Sequence, residues 1–460
     1  MTLKQLFAPS DMTEGKPWEK ILVFTIPMLI GNIAQQLYNT VDSIVVGRYV
    51  GDNALAAVGS ASPILNLLLV LFMGISVGAG VMVSQYFGAK EREELSTTIG
   101  NCITLTAIAT IFIMIAGSLG IRPLLEILNT PESIIDWCTS YLMILLLGSA
   151  GVAYYNILCG ILRGLGDSIS ALVYLLIATV INIVLDIWFV AGFQMGVAGV
   201  ALATVIAQAV SAILCFIKLF RMGEIFHMGP RYLKVSPRHT MNIIRLGLPS
   251  GLTQAIFSMA MIVVQSLTNS FGELVIAANV IIMRVDGFAM MPNFSFGTAM
   301  TTYAGQNVGA RRYDRVEQGT RQGTLIAVAT SAVITGLILI FGKYLMGIFT
   351  TTAELVTLSA DMMKILAVGY IAMAVTQCLS GVMRGAGDTM TPMWISLITT
   401  VVIRVPLAYG ISYATKTPQL PHGAYQCIWI SLLVAWICGA VITWLFYMKG
   451  NWKKKALSLD

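Results

Sequence analysis

The sequence predicts an all-α integral membrane protein with twelve transmembrane helices in two six-helix repeats. Three observations support this fold class: charged residues are scarce, long charge-free runs recur along the chain, and the second half repeats motifs of the first. Of 460 residues, 57% are hydrophobic and 11% are charged, whereas an average soluble domain has about 25% charged residues. Because a soluble fold needs charge on its exterior, this composition excludes a water-soluble globular protein.

Twelve charge-free runs approach the length that crosses a bilayer, about 20 mostly apolar residues. The fifth and the eleventh extend past an embedded charge, Asp186 and Arg404, and a start of the eighth before Arg284 is the alternative to a start after Asp286. A basic segment separates six runs from the other six. We therefore predict an N-terminal lobe over 1–220, a cytoplasmic linker over 221–240 and a C-terminal lobe over 241–460. The runs are 21–41, 53–89, 95–121, 137–162, 168–185, 187–217, 246–272, 287–310, 322–342, 365–383, 389–403 and 417–448.

Lysine and arginine residues are distributed unevenly between the loops of the two sides. Twenty-one of the 28 lie on the side that holds both termini, five lie on the other side, and Arg284 and Arg404 lie inside predicted helices. Cytoplasmic loops carry the excess of basic residues, so both termini are predicted to be cytoplasmic. The net charge of +6 follows from this topology, and we expect no nucleic-acid partner. The polar residues 1–20 predict no cleavable secretion signal.

Motifs for metal, redox or nucleotide chemistry are missing from the sequence. Seven cysteines and three histidines show no metal-ligand spacing, and no phosphate-binding Walker loop occurs. No arrangement of residue types indicates a catalytic site. We therefore expect a protein that is not an enzyme and that uses no cofactor.

The second half of the chain repeats the first at a shift of 221 residues. At this shift RGLGDS at 163–168 falls on RGAGDT at 384–389, and Pro27 corresponds to Pro249 at a shift of 222. Polar loop motifs in register indicate a duplication. Because each repeat holds an even number of helices, both enter the membrane from the same side, and a pseudo-two-fold axis along the membrane normal is expected to relate them.

Ionisable side chains inside predicted membrane helices are the strongest functional signal, because they are costly in lipid and usually face a wet cavity or the bundle interior. Asp42 lies on the polar stripe of the first helix, and Asp186 lies one turn after Asn182 on the fifth. A rise of about 1.5 Å per residue places both carboxyl groups at one outer level, with Thr204 and Gln208 at a comparable depth. The stripe consists of Asn32, Gln35, Gln36, Asn39, Asp42 and Ser43.

Two functional interpretations and one structural interpretation fit these aspartates. Burial opposes ionisation of a carboxyl group, which suits proton coupling, whereas two aspartates with Asn and Thr oxygens can hold a sodium ion. Alternatively, Asp42 and Asp186 hydrogen-bond the helices together. The repeat shift places Asp42 on Val263 and Asp186 on Leu407. This lack of acidic counterparts favours a functional role over an architectural one.

The C-terminal half offers further candidates for a substrate cavity. Arg284 and Asp286 are placed at the start of the eighth predicted helix, either as an internal ion pair or as part of a substrate surface. Met290 belongs to a set of methionines whose soft side chains suit varied amphipathic ligands, although helix packing is the commoner role of such residues. The predicted substrate cavity comprises Gln35, Gln36, Asn39, Gln208, Arg284, Asp286 and Met290.

Together these features resemble the multidrug and toxic compound extrusion (MATE) family over essentially the whole chain. The resemblance rests on the two six-helix halves and on the segments VGRYVGDNALAAVG, QYFGA, GQNVGA, RGLGDS, RGAGDT and NIVLD. The sequence is most similar to bacterial members of the DinF-like branch, which carry an Asp on helix one and an Asn and Asp on helix five. The matching residues are Asp42, Asn182 and Asp186, and Thr204 matches the accompanying hydroxyl on helix six. The NorM-like carboxylates of helices seven and ten have no counterpart between Arg245 and Glu273 or between Lys364 and Arg384.

The resemblance implies a secondary active multidrug efflux antiporter of the bacterial inner (cell) membrane. Such a protein exports organic, often cationic, compounds in exchange for protons or sodium by alternating access, and we expect it to be a monomer in the lipid bilayer. The implied cation-coupling residues, and a possible sodium site, are Asp42, Asn182, Asp186 and Thr204. The alternative is a lipid-linked saccharide flippase of the related superfamily, which would require a strongly cationic cavity.

Overall fold

The computed structural model of the chain describes residues 8–127, 130 and 132–457, and it describes only part of the side chains between residues 42 and 71. Every regular element in these ranges is a helix. The N-terminal half contains α1 (Pro17–Tyr49), α2 (Asp52–Ala89), α3 (Arg92–Ile127), α4 (Glu132–Leu147), α5 (Ser149–Gly164), α6 (Ser168–Asp186) and α7 (Val197–Phe220).

The C-terminal half repeats this order of elements. It contains α8 (Pro237–Ser270), α9 (Glu273–Gly309), α10 (Tyr313–Gly347), α11 (Ala353–Ala367), α12 (Gly369–Gly385), α13 (Met390–Leu397), α14 (Val405–Ala414) and α15 (Cys427–Met448). A π-helical segment, Ile187–Gly192, continues α6, a second one, Ile398–Arg404, joins α13 to α14, and a 3₁₀ turn, Asn451–Lys454, follows α15.

The predicted twelve crossings are confirmed, but two of them are bent. Ten helices in the described chain are long and apolar enough to span a membrane, and two further spans are the pairs α4–α5, bent by 52°, and α11–α12, bent by 43°. The sequence predicted uninterrupted runs at both places. A Cβ on Gly148 would lie 2.3 Å from Val205, and a Cβ on Gly369 would lie 2.5 Å from Trp436. Because glycine has no side chain at either position, the last helix of each half can approach the bend.

The duplication is visible in the backbone as well as in the motifs. Lys90 directly follows α2 and Arg311 lies two residues after the end of α9, and these two residues have left-handed φ angles of 61° and 58°. In the turn after α5 the N–H of Asp167 donates to Leu162 O at 2.8 Å. In the turn after α12 the N–H of Asp388 donates to Met383 O at the same distance. Residues equivalent at the shift of 221 thus adopt the same local structure.

The aspartate of each turn begins the next helix. Asp167 accepts hydrogen bonds from the N–H of Ser170 at 2.9 Å and from its hydroxyl at 2.7 Å, which satisfies a free N–H of the first turn of α6. Lys218 Nζ lies 3.6 Å from the same carboxylate. Burial raises the pKa of the Asp167 carboxyl group above its ordinary value, and the bonds to Ser170 and Lys218 oppose that rise.

The chain forms two compact units, and each takes in a short segment of the opposite half. The first unit contains Ile26–Gly251 together with the residues before Met12, and the second contains Met12–Thr25 and Leu252–Asp460. The beginning of α1 thus belongs to the second unit, and the beginning of α8 belongs to the first. The predicted division into 1–220, 221–240 and 241–460 follows chain order and stays a prediction.

Hydrogen bonds hold each exchanged segment in its unit. In the second unit Gln306 Oε1 accepts from the N–H of Met12 at 2.8 Å, and Arg312 Nη1 donates to Thr13 O at 2.7 Å. In the first unit Asn101 Oδ1 accepts from the N–H of Ser236, the residue before α8, at 2.7 Å. Side chains of one half of the sequence therefore fix the start of a helix from the other half.

Candidate functional site

A cavity of about 300 Å³ lies inside the first unit, among α1, α2, α3, α4, α5 and α7. This volume is at the lower end of the range of small-molecule sites, about 300–1,000 Å³. Its lining combines amide and hydroxyl groups with apolar side chains of α2, α3 and α4, which suits amphipathic ligands. The polar lining residues include Gln35, Tyr38, Asn39, Ser149, Asn156, Thr204 and Gln208. The apolar lining residues include Leu65, Leu69, Phe72, Ile113, Leu142 and Leu145.

Helix α1 supplies its polar residues to this cavity because of their spacing. Gln35, Tyr38 and Asn39 stand three and four residues apart, so they project from one face of the helix, and all three line the cavity. Of the stripe residues predicted for the substrate cavity, Gln35 and Asn39 are thus brought to one place. Gln36 is half-buried on the same helix and is not part of that lining.

Thr204 connects three helices at the edge of the cavity. Its Oγ1 accepts a hydrogen bond from the Tyr38 hydroxyl of α1 at 3.2 Å and another from Asn182 Nδ2 of α6 at 3.4 Å. Asn182 and Asp186 are both fully buried and lie one turn apart on α6. The structure therefore brings Asn182 and Thr204 into contact and places Asp186 on the adjoining turn.

Asp186 is the last α-helical residue before the π-helical segment Ile187–Gly192. π-helical turns inside membrane helices occur frequently at functional sites, because the extra residue redirects the side chains around it. The predicted partner Asp42 lies on α1, one turn after Tyr38, and its side chain is outside the described residues. The predicted Asp42–Asp186 pair stays a prediction.

Gln208 presents a buried acceptor at the cavity. Its side chain is only 6% exposed, and among the described residues no group donates a hydrogen bond to its Oε1. Buried polar atoms nearly always have a hydrogen-bond partner. A donor in water or in a ligand is therefore the expected partner at this position, one turn from Thr204.

A second, smaller cavity of about 70 Å³ continues along α1 toward its proline. It shares Gln35, Tyr155 and Asn156 with the larger cavity and extends to Pro27 and Gly31. Pro27 lies inside α1, where a proline removes one backbone hydrogen bond and allows the helix to bend. The smaller cavity thus lies beside the position at which α1 can bend.

The predicted residues of the C-terminal half lie on one helix, α9, but have different surroundings. Because α9 begins at Glu273, Arg284 and Asp286 lie well inside the helix, so the alternative start before Arg284 is confirmed and their placement at the start of the helix is wrong. Asp286 Oδ1 accepts from the Tyr370 hydroxyl at 2.9 Å and interacts electrostatically with buried Arg404. Of the two predicted roles, the internal Arg284–Asp286 pair is not among the ion pairs of the described residues, where Asp286 instead bonds Tyr370.

The surroundings of Arg284 and Met290 differ from those of Asp286 and from each other. Arg284 is exposed on α9, whereas Met290 is buried in the apolar core of the second unit with Ile282 and Leu366. Neither lines the cavity of the first unit. Their place in a substrate cavity stays a prediction.

Most cavity residues were not predicted as site residues from the sequence, and three of them with polar groups are Tyr38, Tyr155 and Asn156. Tyr38 lies on the polar stripe of α1, three residues after Gln35, and this spacing was a usable signal. Tyr155 and Asn156 lie on α5. An Asn inside an apolar run is also a signal, but its direction depends on the bend between α4 and α5, which the sequence did not predict.

Sequence comparison supports the assignment that these features indicate. A sequence model described as MatE matches residues 27–188 and again residues 249–410, together more than half of the chain. The chain belongs to the MatE family. The two matches begin 222 residues apart, so each half of this MatE-family protein is one copy of the family unit. The predicted family membership and duplication are confirmed.

Two bacterial relatives and one solved structure resemble the chain over nearly its whole length. "Probable multidrug resistance protein YoeA" from Bacillus subtilis (strain 168) is 28% identical over 454 residues, covering 97% of this chain and 96% of that protein. "Probable multidrug resistance protein NorM" from Thermotoga maritima is 25% identical over 448 residues, with coverage of 95% and 94%.

The solved structure is described as the outward-facing conformation of a multidrug resistance MATE family transporter of the MOP superfamily. It has a TM-score of 0.90 and 25% identity, covering 97% of this chain and 99% of that one. The MatE-family chain is thus a multi-pass membrane transporter and not an enzyme.

Proposed function

We propose that this MatE-family chain is a secondary active multidrug efflux antiporter. It exports organic, often cationic, compounds in exchange for protons or sodium, by alternating access. The observation that carries the proposal is the cavity of the first unit, where Thr204 contacts both the cavity residue Tyr38 and the fully buried Asn182. A substrate in the cavity and an ion bound beside Asn182 would share this one hydroxyl group.

The proposed ion-coupling residues are Asp42, Asn182, Asp186 and Thr204, and the ion is a co-substrate. Their carboxylate, amide and hydroxyl oxygens are ligands that suit a hard cation such as sodium, and the same carboxylates can take up a proton. The contact of Asn182 with Thr204 at 3.4 Å and the burial of Asp186 support this set. Binding of either ion neutralises negative charge next to the cavity.

The cavity lining favours cationic or neutral amphipathic substrates. It contains amide, hydroxyl and apolar groups and no lysine or arginine among its described residues. A flippase of anionic lipid-linked saccharides would need basic side chains at this place, so the composition of the lining favours the drug antiporter. Gln35, Asn39 and Gln208 are the proposed substrate contacts here, and Gln36, Arg284, Asp286 and Met290 stay predictions.

Alternating access is proposed to use bending of α1 at Pro27. The helix passes from the second unit to the first between Thr25 and Ile26, next to Pro27 and the smaller cavity. Ion binding at the coupling residues neutralises charge on the face of α1 that borders the cavity, so that the helix bends at Pro27 and substrate affinity falls. One charge that moves across 100 mV supplies about 2.3 kcal/mol, enough for roughly fiftyfold accumulation.

The proposed location is the bacterial cell membrane with both termini in the cytoplasm. The support is the uneven distribution of Lys and Arg, twenty-one of 28 on the side of the termini. Labelling of the variant Ser10→Cys with a membrane-impermeant thiol reagent, in intact cells and in inverted vesicles, tests this orientation. We propose a monomer as the functional unit.

The deciding experiment measures efflux of an ethidium-like dye from vesicles under separate proton and sodium gradients. Asp42→Asn is expected to abolish gradient-driven efflux, whereas Asp361→Asn, at an exposed aspartate paired with Lys364, is expected to keep it. The gradient that drives the wild type identifies the coupling ion. Full gradient-driven efflux by Asp42→Asn at normal expression would show that the proposal is wrong.

A further inference from the structure

Each unit has a groove formed by its third helix and by the second part of its bent pair, near one end of the span. In the first unit these elements are α3 and α5, and the chain between α7 and α8 fills the groove. Thr104 Oγ1 donates to Leu233 O at 2.7 Å, and a Cβ on Gly100 would lie only 2.1 Å from Tyr232 O. The Tyr154 hydroxyl bonds Ile103 O at 3.1 Å and fills the remaining space.

The equivalent groove of the second unit is open. At the shift of 221, Gly100 falls on Arg321, Thr104 on Leu325 and Tyr154 on Val375. These three residues line a cavity of about 730 Å³ that is bounded by α10, α12, α15 and the 3₁₀ turn after it. A valine replaces the tyrosine, and no segment of the described chain lies across α10 as residues 232–234 lie across α3, so among the described residues this space is open to a ligand.

The charge in this groove is positive. Lys453 pairs with Glu317, whereas Arg321 is exposed and makes no hydrogen bond or ion pair that the described chain shows. Arg321 is therefore an uncompensated guanidinium at the mouth of a largely apolar cavity. Guanidinium groups bind phosphate through paired hydrogen bonds, so the charge favours an anionic group, and in particular a phosphate.

Aromatic side chains build the wall beside this charge. The rings of Tyr447 and Trp452 stack with centroids 5.4 Å apart, and Trp452 Nε1 donates to Tyr447 O at 3.0 Å. Lys453 Nζ lies 5.6 Å above the Trp452 ring. Trp and Tyr next to basic residues at the end of a spanning helix are typical of the membrane–water interface.

Lipid-exposed surface borders the groove. On α15 the large apolar residues Ile437, Val441 and Trp444 follow one another at helical spacing and are 45–51% exposed. On α10 Leu325, which lines the cavity, is 69% exposed. Because a stripe of exposed apolar side chains on a membrane helix faces hydrocarbon, an acyl chain can enter the cavity from this side.

We propose that this groove binds a phospholipid with an anionic headgroup. Arg321 binds its phosphate, Tyr447 contacts the headgroup region with the buried ring of Trp452 behind it, and one acyl chain lies along Leu325 and Val375. A basic residue at an interface attracts anionic lipid, and an apolar cavity of this size needs the acyl chain to fill it. The site is separate from the cavity of the first unit and goes beyond the proposed antiport.

The experiment measures lipid retention by the full-length protein in detergent, using native mass spectrometry with phosphatidylglycerol or phosphatidylcholine. Wild type is expected to retain one phosphatidylglycerol in preference to phosphatidylcholine. Arg321→Gln is expected to lower that preference at least about tenfold, the loss that follows removal of a charge-assisted hydrogen bond. Arg221→Gln is the matched control, because Arg221 is an exposed arginine after α7 in the first unit, and it is expected to bind like wild type.

A second variant tests the acyl-chain part of the site. Val375→Tyr installs the residue that fills the groove of the first unit, so it is expected to remove the retained lipid with Arg321 still present. Inorganic phosphate at millimolar concentration is expected to leave the lipid in place. Wild-type retention by Arg321→Gln or by Val375→Tyr, or displacement of the lipid by phosphate alone, would overturn the proposal.

Discussion

The two halves of the chain have equivalent backbones but place their polar groups differently inside the membrane. In the first unit Tyr38, Asn182 and Thr204 meet at the edge of a cavity. In the second unit Asp286 and Tyr370 bond each other beside a tightly packed core. Gene duplication copied the helices and turns, while a few side-chain differences decide which copy contains the candidate coupling site.

A second difference lies in the groove of each unit. In the first unit Thr104 bonds the chain segment that fills the groove, and Tyr154 occupies the remaining space. In the second unit Arg321 and Val375 leave the groove open. The two units therefore have their open spaces at different places. The first unit has a cavity around the polar residues of its core, and the second unit has an open groove at one end of its spans. Equivalent scaffolds therefore provide different kinds of site.

The largest expected effect is a difference in ion coupling between variants of Asp186 and Asp286. Asp186→Asn is expected to reduce dye accumulation from roughly fiftyfold per charge at 100 mV to near one, because ion coupling is lost. Asp286→Asn is expected to keep ion coupling because the coupling residues of the first unit are unchanged, but to lower stability because buried Arg404 loses a neighbouring negative charge. Transport into inverted vesicles under an imposed gradient measures both variants. Loss of coupling in Asp286→Asn with full coupling in Asp186→Asn would move the coupling site to the second unit.

A smaller effect separates the two tyrosines. Tyr370→Phe removes a hydrogen bond to a carboxylate and is expected to destabilise the protein by about 1–2 kcal/mol, with transport retained. Tyr38→Phe removes a bond between neutral groups and is expected to cost about 1 kcal/mol or less, but to slow transport because it frees Thr204. Thermal unfolding in detergent and dye efflux are measured on the same samples. A slower Tyr370→Phe and a fully active Tyr38→Phe would reverse the comparison.

The smallest effect concerns the turn aspartates. Burial raises the pKa of Asp167 in the folded protein, so just above the unfolded pKa of about 3.9 the folded state binds more protons than the unfolded state. The contribution of Asp167 to stability therefore falls as pH rises through this window. Asp167→Asn keeps the helix cap and is expected to remove that pH dependence, with a change of about 1 kcal/mol or less at neutral pH.

Asp388→Asn is the matched control for the loss of a capping carboxylate. Asp388 accepts hydrogen bonds from Thr391 at the start of α13, and its replacement by asparagine, which also caps helices, is expected to cost about 1 kcal/mol or less at neutral pH. Unfolding temperatures from pH 4 to pH 7 compare each variant with wild type. An unchanged pH dependence in Asp167→Asn would show that burial of Asp167 does not control it.

Much of the candidate site was predictable because it depends on spacing along single helices. The interval of three and four residues places Gln35 and Asn39 on one face of α1, and the interval of four places Asn182 and Asp186 on adjoining turns of α6. Arg284 and Asp286 were misplaced because the predicted run began after the last charge. The helix itself begins at Glu273, and it continues through the exposed Arg284 and through Asp286, whose carboxylate accepts from Tyr370.

The sequence by itself determined the membrane class, the twelve crossings and the duplication, because apolar length and repeated motifs are properties of the local chain. Tertiary structure alone decided the bends at Gly148 and Gly369, where neighbouring helices approach the missing side chains. It also decided that Met12–Thr25 joins the second unit and that the groove beside Arg321 is open. These features depend on contacts between residues far apart in the sequence, and no spacing along one helix records them.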